Sequence, residues 1–193
     1  MRPLKLAALA AIAAFIFSAG AAPAEVKKYM SLCGTQDGVQ RLCAHYRLAL
    51  ALPDGWAVDE AATKANDAQM IVPKGKTYAS APALIYVQVF YHRDKQQSLA
   101  DFAKNSNDRW LNEAKNAKIT PLPDVVRDNG KPGFLRFAFQ NPNNPQQAYE
   151  LGAFGIDGDN DGNEFVLDVV ITGSAKAAID RAEKDYLAFL KAN

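Results

Sequence analysis

With 193 residues, 22 basic and 21 acidic side chains and 49% hydrophobic residues, the chain is long enough for one domain that buries roughly 70% of its unfolded surface without a metal or disulfide staple. The near-neutral balance excludes the basic footprint of a nucleic-acid binder and gives no general attraction to an anionic membrane surface.

In chain order the first element is a leader. Arg2 and Lys5 precede the uncharged apolar run Leu6 to Phe17, which falls short of the roughly 20 residues that a bilayer-spanning helix needs. Small residues follow from Ser18 to Ala24, with Ala22 and Ala24 at the positions of an Ala-x-Ala cleavage site. This predicts a signal peptide over 1–24 and a single domain over 25–193, periplasmic or otherwise extracytoplasmic and soluble. Losing Arg2 and Lys5 turns the net charge from +1 to −1.

Cys33 and Cys43 are the two cysteines of the chain. In an oxidising compartment such a pair predicts a disulfide, and Gln36-Asp37-Gly38 between them is a hairpin turn signal. Arms over Tyr29–Cys33 and Val39–Cys43 would let the sulfurs meet, a closure worth roughly 3 kcal/mol on the chain-entropy model. A redox pair is the alternative, although the Cys-x-x-Cys spacing that activates a thiol is absent.

From Tyr46 to Leu52 apolar residues alternate as in a strand, stopped by Pro53-Asp54-Gly55. Trp56 and Val58 resume the pattern, and Ala68 to Val72 reads as a short strand. Ala83 to His92 is apolar on both faces, the mark of a central strand. Ser98 with Asp101 forms a capping box for a helix carrying Leu99, Phe102, Ala103, Trp110 and Ala114 on one stripe. A segment over Ile119 to Val126 and strands over Phe134 to Gln140, Tyr149 to Ile156 and Phe165 to Thr172 follow. Ser174 is expected to cap a final helix whose stripe runs from Ala175 to Leu190. Short turns between strands imply antiparallel pairing, and the helices imply layers packed on a sheet, an α+β class.

Several of these segments resemble the PsbP-like family, which includes the extrinsic P subunit of photosystem II and bacterial DcrB-like exported proteins. The matching stretches are Leu52-Pro53-Asp54-Gly55-Trp56, the Ile85 to Phe90 strand, Ser98-Leu99-Ala100-Asp101-Phe102, Gly130-Lys131-Pro132-Gly133 and the final Phe189-Leu190. The likeness spans about residues 46–190. It implies an antiparallel sheet sandwiched by helices, an α/β/α sandwich to which the cysteine pair adds an N-terminal disulfide hairpin. It also implies a binding or assembly role without shared catalytic residues; fold likeness alone does not transmit function.

Candidate sites are few. Asp157, Asp159 and Asp161 in Asp157-Gly158-Asp159-Asn160-Asp161-Gly162 open like a calcium loop. Asp168, however, stands where a bidentate Glu is expected, and strands replace the flanking helices. The same residues also suit an ordinary hairpin turn, so calcium is a weak candidate and no other cofactor is implied. His45 and His92 are the two histidines, and no Gly-x-Ser-x-Gly or His-Glu-x-x-His motif accompanies them. Trp56 and Trp110 fit core stripes, and the polar 141–147 segment reads as a surface loop or a partner contact. The reading is an exported, non-enzymatic binding or assembly accessory whose partner is another envelope protein. The alternatives are a small-molecule or calcium-binding module, and a hydrolase with a dispersed site. A partner-binder is expected to expose an apolar patch, whereas an enzyme is expected to gather His45 or His92 with a hydroxyl and a carboxylate.

Overall fold

The computed structural model describes residues 25–36, 39–92, 97–114, 116–144 and 148–193; the signal peptide predicted over 1–24 lies outside the described residues. Strands β1 (Val26–Gln36) and β2 (Val39–Leu48) pair antiparallel as a separate two-stranded sheet. Seven more strands build the main sheet: β3 (Trp56–Val58), β4 (Gln69–Pro73), β5 (Ala83–Tyr91), β6 (Lys118–Val125), β7 (Phe134–Gln140), β8 (Tyr149–Gly158) and β9 (Glu164–Gly173). Their order is β3-β4-β5-β9-β8-β7-β6, and every neighbouring pair is antiparallel. β5, predicted to be central from its apolar character on both faces, is an interior strand between β4 and β9. With three helices among the described residues, α1 (Glu60–Ala65), α2 (Leu99–Glu113) and α3 (Lys176–Ala192), the fold is α+β. Among the described residues no helix is long and apolar enough to cross a membrane.

Period-two alternation separates the sheet into two faces. Ile85 and Val87 of β5, Leu151 and Ala153 of β8, and Phe165, Leu167, Val169 and Ile171 of β9 form one of them. They pack against Ile179, Tyr186, Phe189 and Leu190 of α3. Tyr186 satisfies its hydroxyl by donating to the Val169 carbonyl at 2.8 Å. Val26 and Leu48, at the base of the β1–β2 hairpin, join the same core. On the other face α1 closes a smaller cluster around Met70, Val72 and Leu84. α2 covers the remainder with Phe102 against Phe90 and Phe154, and Trp110 edge-on to Phe139 at 5.2 Å. Gly152 keeps the floor bare there, since a Cβ would come within 2.6 Å of the Phe139 ring.

Ser98 caps α2 as expected: its Oγ accepts from the Asp101 amide at 3.1 Å, while the Asp101 carboxylate accepts from the Ser98 hydroxyl at 2.7 Å. Three local expectations need correction. The strand expected through Leu52 ends at Leu48, because Ala51 is held instead by the side-chain amide of Asn193, which donates to its carbonyl and accepts from its N–H. α3 begins after Ala175 with no side-chain cap, because the Ser174 amide extends the sheet by bonding the Pro82 carbonyl. Helix α1 was not anticipated; Asp59 caps it and also accepts from the Tyr78 amide. Trp56 is buried as a core residue, with its indole N–H donated to Asp185 at 3.0 Å.

Candidate functional site

The two histidines stay apart in their bonding. His45 Nδ1 pairs with Asp67 at 2.7 Å and His92 Nδ1 with Glu164 at 2.5 Å. No hydroxyl is a hydrogen-bond partner of either ring among the described residues. Open clefts of about 290, 370 and 420 Å³ are not lined by a histidine, and the cavity that His45 lines, with Asp67 and Gln69, holds only about 20 Å³. The constellation expected of a hydrolase is therefore not assembled by these residues.

The acidic loop is also accounted for locally. Asp157 is buried and paired with Lys131 Nζ at 2.5 Å and Arg127 at 3.6 Å. Asp159 turns back on its own loop, accepting from the amides of Asp161 and Asn163 and from the Asn163 side chain. Those bonds, the Asn163 side chain foremost, hold its carboxyl below the usual range. Asp161 remains exposed. The three carboxylates thus serve an ion pair, a turn and solvent, rather than one cation. Among the described residues no group of three or more His, Cys, Asp or Glu could hold a metal.

Sequence reasoning missed a set of polar groups on the face beneath α2. Glu150 is buried, and its carboxyl is pushed up by burial, with Thr172 opposing. Its Oε1 and the Thr172 Oγ1 have no hydrogen-bond partner of good geometry. Asp168 is pushed up to about 7 by burial and then by the Glu150 charge, with Arg109 opposing. Tyr86 is raised by burial and by the same two carboxylates. A lone charge inside each apolar run, Tyr149-Glu150-Leu151 and Leu167-Asp168-Val169, was the signal available.

The hairpin offers a different kind of surface. Its register sets Val26 opposite Leu48, Lys28 opposite Tyr46, Met30 opposite Ala44 and Leu32 opposite Leu42, so these residues share one face. At the base that face is core: Val26 and Leu48 are buried, and Tyr46 packs on Phe165 with ring centroids 4.8 Å apart. Further out the same face continues as Met30, Ala44 and Leu42, yet Met30 is 55% and Leu42 66% exposed. The opposite face carries Lys27, Tyr29 and Arg47, with the Arg47 guanidinium over the Tyr29 ring at 5.4 Å. The hairpin thus overhangs the domain and carries an apolar strip beyond the core that seats it.

The arms of the predicted hairpin are longer than expected, running to Val26 and Leu48. The Cys33–Cys43 pairing falls on the Cys33 side chain, which lies outside the described residues, as does the turn at 37–38. No free cysteine is present among the described residues.

No protein-family model matches the chain, and no curated protein matches it. Among solved structures it is similar to the Saccharomyces cerevisiae Ran-binding protein Mog1p. The identity is 11%, the TM-score 0.44, and the match covers 84% of this chain and 90% of that one. A mutant of Mog1 gives 11% identity and a TM-score of 0.43 over 83% and 89% of the two chains. The periplasmic or otherwise extracytoplasmic location expected from residues 1–24 is corrected to no assigned location: the solved structures found are Mog1 proteins, one of them described as Ran-binding.

Proposed function

We propose that the chain is a non-enzymatic binding or assembly protein that holds another protein on the free half of the β1–β2 hairpin. The observation that carries this is the apolar strip Met30, Ala44 and Leu42, which prolongs a core-forming face into solvent. Isolated exposed apolar residues need no explanation, whereas a contiguous strip projecting from a domain marks an interaction surface. The resemblance to the PsbP-like family, with its assembly roles, is part of this proposal, and so is a Cys33–Cys43 bridge that would stiffen the hairpin for docking.

A photocrosslinking residue at Met30, compared with one at exposed Lys64 on α1, tests the reading in cells. A discrete protein adduct from position 30 alone, lost on Leu42→Asp while the fold is retained, is the expected result. Equal labelling from both positions would overturn it. Thiol titration before and after reductant decides the bridge: two free thiols in the native protein would remove it from the proposal.

A further inference from the structure

The hairpin has two long edges, and they differ. Along β2 the edge is occupied near its base. The Gln69 side-chain amide accepts from the Leu48 N–H at 2.7 Å and donates to the Leu48 carbonyl at 3.0 Å, taking both groups a further strand would use. Asp67 is bound to His45 on the same strand. Along β1 the situation is the reverse. Among the described residues β1 pairs with β2 and with no other strand. Its register is regular from Val26 to Leu32, and only then shifts before Thr35, next to Gly34 with its φ of +132°. Val26 to Leu32 contains no Pro and no Gly, so nothing interrupts its outward N–H and C=O groups. An edge of this kind is a ready template for strand addition.

Charge selects the occupant. β1 carries two basic side chains, Lys27 and Lys28, and no acidic one, on a chain that is close to neutral overall. Lysines on an edge discourage pairing with basic or uncharged strands, and charge complementarity favours an acidic one. A strand laid beside β1 would place successive side chains on alternate faces. On one face it meets Met30 and Lys28, and on the other Lys27 and Tyr29, whose ring lies under the Arg47 guanidinium.

We infer that the partner adds an extended segment to the free edge of β1, and that this segment sets an aliphatic residue beside Met30 and carboxylates beside Lys27 and Lys28. This rests on the hairpin docking proposed above and names its chemistry: main-chain pairing gives affinity, and the alternating side chains give specificity.

The test uses the full chain and three synthetic nine-residue peptides: alternating Leu and Glu, alternating Leu and Lys, and alternating Ser and Glu. Binding is followed by fluorescence anisotropy, with amide exchange mapped along β1. Saturable binding of the Leu/Glu peptide alone is expected, with new protection of β1 amides that do not pair with β2. Lys27→Glu with Lys28→Glu, or a rise in salt from 50 to 500 mM, should weaken it about tenfold. Binding of the Leu/Lys peptide as tightly as Leu/Glu would overturn the charge assignment and leave hairpin docking standing. Leu/Glu binding unchanged by Met30→Asp, or without protection along β1, would overturn the hairpin as its site. If no peptide binds while the crosslink at Met30 persists, strand addition fails and docking survives. If anionic phosphatidylserine vesicles bind and no peptide does, and Met30 yields no protein adduct, both readings fail.

Discussion

Replacing Asp168 by Asn should stabilise the protein at neutral pH and flatten the dependence of its stability on pH. The folded carboxyl titrates at about 7 rather than 3.8, because burial and the neighbouring Glu150 disfavour its charge. Between those values the folded state holds a proton that the unfolded chain has released, so stability falls as pH rises. The contribution is complete below about pH 4 and is lost by the time pH passes the folded value near 7. At 1.36 kcal/mol per pH unit the displacement corresponds to about 4 kcal/mol, and water reaching the half-buried side chain brings the measurable part to about 2–4 kcal/mol. Asn cannot ionise and is nearly isosteric, so urea unfolding of both proteins at pH 4, 5.5, 7 and 8 isolates this effect. The variant should match the parent at pH 4 and exceed it by about 2–4 kcal/mol at pH 8. Equal slopes in the two proteins would show that Asp168 is solvated or paired when charged, and would refute the argument.

Three further outcomes can be checked by the same unfolding assay. Asp157→Ala should cost about 3–5 kcal/mol, because it removes the carboxylate that faces the fully buried Arg127 guanidinium; Asp161→Ala, on the exposed side of the same turn, should change stability by less than about 0.5 kcal/mol. Asn193→Ala should cost about 2–3 kcal/mol through the loss of bonds to Ala51 and Phe189 at a fully buried position. Gly152→Ala should cost about 1–3 kcal/mol as the new methyl drives the Phe139 ring off its seat, and near-ultraviolet circular dichroism should report the disturbance of Trp110.

What was legible in the chain was local. Ser98 and Asp101 announce α2 because the cap and its partner lie within four residues, and β5 announces its interior place because both of its faces are apolar. Asp157 misleads for the opposite reason. Read with its neighbours it suggests a turn or a calcium loop, but its partners Arg127 and Lys131 arrive from another part of the chain. The end of β2 was hidden in the same way, since it depends on Asn193 reaching back to Ala51. The hairpin could be seen in Gln36-Asp37-Gly38, but its overhang could not. Whether Met30 and Leu42 are covered depends on where the main sheet stops beneath them, and no spacing within the hairpin encodes that.

The position of β9 between β5 and β8 has a consequence for how the chain is made. β5 pairs Ala83 with Gly173 and Tyr91 with Phe165, so its natural neighbour lies roughly 80 residues downstream, several seconds of synthesis at about 5–20 residues per second. Until then β3, β4 and β5 can form only a three-stranded fragment, whose most hydrophobic strand presents an open edge on the growing polypeptide. Closing so long a loop makes folding slow compared with sheets built from sequential hairpins. The nascent chain is thus most prone to aggregate in the interval between the emergence of residue 91 and that of residue 173.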